Sequence, residues 1–196
     1  QNYGSAGITS VLALRGDPEG GPASKWQSTA GGYDHADQLV SLARELGFEV
    51  GVAAFPDKHP ASSDLNQDIE VLLEKERRGA SFATTQFFFG IEKYLELKDR
   101  LKARNSKLPL IAGILPITNV KQLERMALLS GTPIPQEVSS RINKLEPSPE
   151  SVKAEGVAIA AELAQDLIAA GAPGIHFYTM NSADSTIEIV KRVGLR

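Results

Sequence analysis

The sequence predicts an α/β fold of parallel strands joined by helices, and three observations carry the prediction. Five short Val/Ile/Leu-rich runs recur along the 196 residues, too apolar to alternate faces as a half-exposed strand does. Stretches of helical periodicity separate them. Each run also stops abruptly in polar or charged residues, which in α/β barrels marks the face where chemistry takes place.

Val11-Leu-Ala-Leu-Arg-Gly-Asp17 opens the series, its strand ending in Arg15-Gly16-Asp17 and then Pro18 and Gly20-Gly21-Pro22. Residues 34–46 carry Leu39, Leu42 and Leu46 on one stripe and stop at Gly47, a helix. A second strand over 50–55 runs into Pro56-Asp-Lys-His-Pro60, and a second helix over 65–78, with Ile69, Leu72 and Leu73, stops at Gly79. Strand 82–86 leads into Phe87-Phe-Phe-Gly90 and helix 91–103; strand 110–115 leads into Pro116-Ile-Thr-Asn119 and helix 120–129. An extra helix is expected over 136–145. Residues 148–170 form a long helix, with Pro149 suited to its first turn and Gly171 to its stop. Strand 174–178 runs into Thr179-Met-Asn181, and helix 182–193 closes the chain. The polar groups at the five strand ends are expected to converge on one site.

Composition limits the function. With 42% hydrophobic and 23% charged residues the chain suits one domain over 1–196. A net charge of −3 gives no general attraction for nucleic acid, and no stretch approaches the roughly 18 apolar residues of a membrane helix. Zero cysteines exclude disulfides, thiolate catalysis and cysteine-held metals, and a cytoplasmic setting is expected. No metal site is expected.

Five strand–helix units do not close an eight-stranded barrel, yet the strand ends read as a barrel's, so upstream units are inferred to be missing. The alternative is an open doubly wound parallel sheet, which also binds ligands beyond its strand ends. Such a sheet normally offers a glycine-rich turn leading straight into a helix. The segment 16–32 is too long and proline-interrupted for that.

Five blocks carry a resemblance: Leu12-Ala-Leu-Arg-Gly-Asp-Pro18, Ala53-Ala-Phe-Pro-Asp-Lys-His-Pro60, Gly79-Ala80 with Thr85-Gln-Phe-Phe-Phe89, Gly113-Ile-Leu-Pro116 with Lys121-Gln122, and His176-Phe-Tyr-Thr-Met-Asn181. In order and spacing the chain resembles the methylenetetrahydrofolate reductase family, end to end. The resemblance implies the last five units of a (β/α)8 TIM barrel that binds FAD. It implies reduction of 5,10-methylenetetrahydrofolate to 5-methyltetrahydrofolate by NADH or NADPH, in one-carbon metabolism and methionine biosynthesis, and a homo-oligomer. The family's proton-donating glutamate would lie on the first barrel strand, outside these residues. The competing reading is a non-catalytic fragment or a flavin- or folate-binding module.

The same resemblance implies residue roles. Asp17 corresponds to an aspartate beside the flavin that also contacts the folate pterin, a carboxylate that disfavours negative charge on the ring. Read alone, Asp17 suits a cap of the turn before Pro18 as well as it suits a site residue. Arg15, Gly16, His35, Ala36, Phe55, His59, Asp68 and Lys75 fall at cofactor positions, with His59 as a hydrogen-bond donor. Asp68 and Lys75, seven residues apart, share a helix face and suit the ribose and pyrophosphate ends of one ligand; the alternative is a solvent-facing pair. Gln86 and Gln122 fall at substrate positions. Phe87, Phe88 and Phe89 look like a flavin-stacking cluster, although adjacent strand residues alternate faces and at least one belongs in the core. Met126 reads as core filler and His176 as a hydrogen-bonded strand residue. One departure stands out: relatives follow Asn181 with an arginine for folate, and this chain has Ser182, leaving Lys121 and Arg125 as candidate substitutes.

Overall fold

The computed structural model describes residues 2–18, 24, 26–144 and 148–195. Gly20, Gly21 and Pro22, named above, and residue 145, the end of the expected extra helix, lie outside them. The chain divides into two compact units, one of residues 1–85 with 97–110, the other of 86–96 with 111–196.

The first unit begins with a short helix α1 (Asn2–Ser5) where a direct entry into the first strand was expected. Strand β1 (Ser10–Ala13) pairs in parallel with β2 (Glu49–Ala54), Val11 beside Val50, and β2 pairs in parallel with β3 (Phe82–Phe87), Gly51 beside Phe82. The N–H of Ala83 donates to the carbonyl of Pro109 at 2.8 Å, which brings the segment entering the fourth strand beside β3. Helices α2 (Ala36–Glu45) and α3 (Leu65–Arg77) bury Val40, Ala43, Ile69, Leu72 and Leu73, and β2 buries Val50, Val52 and Ala54. At α3 the apolar stripe read from the sequence is the face turned inward. At α2 it is not: Leu39 and Leu42 are half-buried and Leu46 exposed, and the smaller Val40 and Ala43 fill the core instead. Helix α2 starts two residues later than periodicity suggested. Its start is organised from within its first turn by Gln38, whose Oε1 reaches back to accept the N–H groups of Asp34 and His35, and His35 is extended (φ −136). At α3 the Asp64 carboxylate accepts the Gln67 N–H at 2.9 Å, an N-cap worth about 1 kcal/mol.

Helix α4 (Ile91–Ala103) contributes Leu97 and Leu101 to the first unit and Tyr94 to the second. In the second unit β4 (Leu110–Ile114) pairs in parallel with β5 (Ile175–Phe177), Ala112 beside Ile175. Helix α5 (Val120–Ser130) is capped by Asn119, which accepts the Gln122 N–H, and ends at Gly131 (φ 71). The extra helix α6 (Gln136–Asn143) packs on the long α7 (Pro149–Ala169), and α7 on α8 (Asp184–Arg192). Pro149 occupies the first turn of α7, as expected, and Ser148 caps it. A core of Ile117, Leu123, Val138, Ile142, Val152 and Ile159 holds this layer together. Arg141 clasps α6 to α7 through Glu155 at 2.6 Å and Glu162 at 2.5 Å.

Each strand lies beside the one preceding it in the chain. A doubly wound sheet reverses its strand order at a switch point, so the open-sheet alternative is set aside. Sequential parallel strands with a helix after each are the units of a (β/α) barrel, of which the chain supplies five.

Candidate functional site

In the first unit the candidate cofactor residues come from the loops after β1 and β2 and from α3. Gly16 has φ +77, a left-handed conformation that a side chain would strain, and it turns the chain between Arg15 and Asp17. Asp17 is exposed. His35, exposed, and Ala36, half-buried, stand at the entry to α2.

The β2–α3 loop is the most tightly built part. Lys58, itself left-handed (φ 75), donates from Nζ to the Ser62 carbonyl at 2.6 Å and the His59 carbonyl at 3.3 Å. Asp68 is only 6% exposed. Its Oδ2 accepts the His59 N–H at 2.8 Å and its Oδ1 accepts the Ser62 hydroxyl at 2.6 Å. The Asp68 carboxylate thus shapes the loop that presents His59. The His59 ring stands edge-on to Phe55, centroids 4.6 Å apart, and its Nδ1 accepts the Ala61 N–H at 3.0 Å. A neutral imidazole accepting at Nδ1 carries its proton on Nε2, so His59 offers a donor there. Burial first, then the positive charges of Arg15, Lys75 and Lys58, hold its pKa below the ordinary histidine value, with Asp68 opposing.

Lys75 is 8% exposed, and so the pair with Asp68 is buried rather than solvent-facing. Its Nζ makes one hydrogen bond among the described residues, to the Ala53 carbonyl at 3.3 Å. Burial lowers its pKa, opposed by the charges of Asp37 and Asp68. An ammonium has three donors, and only one is engaged, at long range. That buried, under-used donor set fits an anionic oxygen such as a phosphate. Asp37, which also pairs with Arg78 at 3.0 Å, has no sequence signal for this role because it sits on a different helix from Lys75.

In the second unit Gln86 and Gln122 are half-buried and similarly arranged. The Gln86 Oε1 accepts the Phe87 N–H at 3.0 Å, and the Gln122 Oε1 accepts the Thr118 hydroxyl at 2.9 Å. Neither amide's NH₂ makes a hydrogen bond to the described residues. Phe87 and Phe88 are core residues: Phe87 meets Phe89 and Tyr178 edge-on, and Phe88 stacks on Tyr94 at 6.0 Å. Phe89 is partly buried against the α5–α7 core. His176 is exposed, its ring edge-on to Tyr178 at 4.9 Å, rather than sealed within the strand. Lys121, Arg125 and Ser182 are exposed, and Met126 is half-buried.

A model of the family described as methylenetetrahydrofolate reductase matches residues 1–194. The chain belongs to the methylenetetrahydrofolate reductase family. It is 36% identical over 199 residues to a 5,10-methylenetetrahydrofolate reductase of Pectobacterium carotovorum and 33% identical over 197 residues to that of Escherichia coli K12, matching 100% of this chain each time. It spans 64% of the length of those two relatives. Methylenetetrahydrofolate reductase 1 of Schizosaccharomyces pombe is 32% identical over 96% of this chain and 32% of its own length. Among solved structures, an uncharacterized Clostridium thermocellum protein, described as binding two copies of 5-methyl-5,6,7,8-tetrahydrofolic acid, shares the fold. Its TM-score is 0.59 at 16% identity, covering 81% of this chain and 57% of that one. Among the described residues no helix is long and apolar enough to cross a membrane.

Proposed function

We propose that this chain is the greater part of a catalytic barrel that reduces 5,10-methylenetetrahydrofolate to 5-methyltetrahydrofolate, with FAD bound and NADH or NADPH as the reductant. The observation that carries the reading is the family match over residues 1–194. The buried, under-used Lys75 ammonium beside the loop that presents His59 supports it. The activity serves methionine biosynthesis in the cytoplasm, and the working protein is a homo-oligomer. A chain of like fold described as binding 5-methyltetrahydrofolic acid agrees with a folate ligand.

In this reading Lys75 holds the pyrophosphate of FAD, Asp68 keeps the β2–α3 loop in place beside the ribose, and His59 donates from Nε2. Arg15, Gly16, His35, Ala36 and Phe55 complete the cofactor contacts. When bound, FAD supplies reversible hydride carriage between the nicotinamide and the folate. Asp17 acts at both ligands: its charge discourages negative charge building up beside it, and its oxygens accept from the amino and ring N–H groups of a pterin. Gln86 and Gln122 orient the pterin through their NH₂ groups.

Asp17→Asn tests the assignment, because it keeps the shape and removes the charge. Stopped-flow measurement of the two half-reactions on the full-length protein should show folate reduction slowed by roughly an order of magnitude, about 1.4 kcal/mol of barrier, and flavin reduction slowed less. A folate half-reaction equal to the parent's removes Asp17 from the site. A parent protein that binds no flavin overturns the function.

A further inference from the structure

Arg15 stands at the end of β1 with a charge that none of the described carboxylates pairs. Its guanidinium carbon instead lies 4.7 Å from the centroid of Trp26, the chain's single tryptophan, in the long β1–α2 loop. Stacking engages the face of a guanidinium and leaves its five N–H donors free around the edge. It also removes rotamer freedom from a long side chain before any ligand arrives, which lowers the cost of binding. The neighbourhood is already ordered: His59 and Phe55 are in edge contact, and Arg15 is close enough to His59 to depress its titration.

We propose that Trp26 is a positioning residue, whose ring holds the Arg15 guanidinium with its edge donors ready for the acceptor groups of the bound dinucleotide. The proposal rests on the flavin-binding reading above. It assigns a specific task to the β1–α2 loop, which no strand or helix signal in the sequence singled out.

The test is a set of FAD titrations, followed by flavin fluorescence, on the flavin-stripped full-length protein and its variants Trp26→Phe, Trp26→Leu, Arg15→Met and Arg15→Met/Trp26→Leu. A cation–π contact at a partly exposed site is worth a two- to fivefold change in affinity, about 0.5–1 kcal/mol. Trp26→Leu should therefore weaken FAD binding by about two- to fivefold, and Trp26→Phe should recover most of the loss. In the Arg15→Met background Trp26→Leu should have no further effect, because the ring then has no cation to hold. The proposal is overturned if Trp26→Leu binds as the parent does, if Trp26→Phe is as damaging as Trp26→Leu, or if the Trp26 effect persists undiminished without Arg15. Failure of the parent itself to bind FAD is a different result and overturns the flavin reading.

Discussion

Lys75 is costly where it sits. Burial lowers its pKa below the ordinary 10.5, so the unfolded chain binds that proton more tightly than the folded one. Between the lowered folded value and 10.5 the fold gains stability as pH rises, and below that window the whole penalty is present. In the proposed site that cost is offset when an anionic ligand binds beside the ammonium. Lys75→Met should therefore stabilise the ligand-free protein at pH 7 by about 1 kcal/mol, roughly 2–4 °C in Tm for a chain of this size. The advantage should shrink toward pH 10.5, and flavin retention should be lost. Thermal melts at pH 7 and pH 10, with flavin content measured by absorbance, check all three; a Lys75→Met protein less stable than its parent at pH 7 contradicts the account.

Among the elements, α7 shows close packing overriding local preference. Gly156 interrupts a 21-residue helix at a position where alanine favours helix by about 1 kcal/mol. A Cβ there would meet the Ile117 carbonyl oxygen at 1.8 Å and the Ile117 carbonyl carbon at 2.7 Å. Backbone cannot yield as a flexible side chain can, so the helix would have to move off the loop after β4. Gly156→Ala should cost about 1–3 kcal/mol net despite the gain in propensity. Ala154 is exposed on the same helix, and Ala154→Gly should cost about 1 kcal/mol from propensity alone. Denaturant melts of the two variants compare them directly. If Gly156→Ala is the more stable, the close approach to Ile117 is not what holds glycine there.

At the scale of the whole molecule, the candidate cofactor residues from Arg15 to Lys75 fall in the first compact unit and Gln86 and Gln122 in the second. Changes in the two groups should therefore separate in their effects. The Phe87 N–H bond to Oε1 fixes the Gln86 amide, the proposed pterin contact is its NH₂, and a half-buried amide deprived of its partner costs about 1–3 kcal/mol. Gln86→Ala should weaken folate binding about 5- to 150-fold with FAD content preserved. If Gln86 serves only to brace the Phe87 backbone, the variant will melt lower with folate affinity unchanged, and measuring both on one preparation decides.

What the sequence determined by itself was the series of elements. Apolar runs of strand length, leucine stripes and the proline and glycine at helix ends, such as Pro149 and Gly47, act between neighbours in the chain, so each could be read locally, with ends off by a residue or two at α2 and β5. The five ordered blocks carried the family for the same reason. Tertiary structure decided which shared faces turned inward. Spacing put Asp68 and Lys75 on one side of α3, but only packing beside β2 made that side buried and turned Asp68 onto His59 and Ser62. Packing likewise assigned Phe87 and Phe88 to the core, placed Asp37 near Lys75, and set Trp26 over Arg15. These contacts join residues far apart in the chain, and their energies depend on desolvation and mutual distance, quantities that no local pattern of residue types contains.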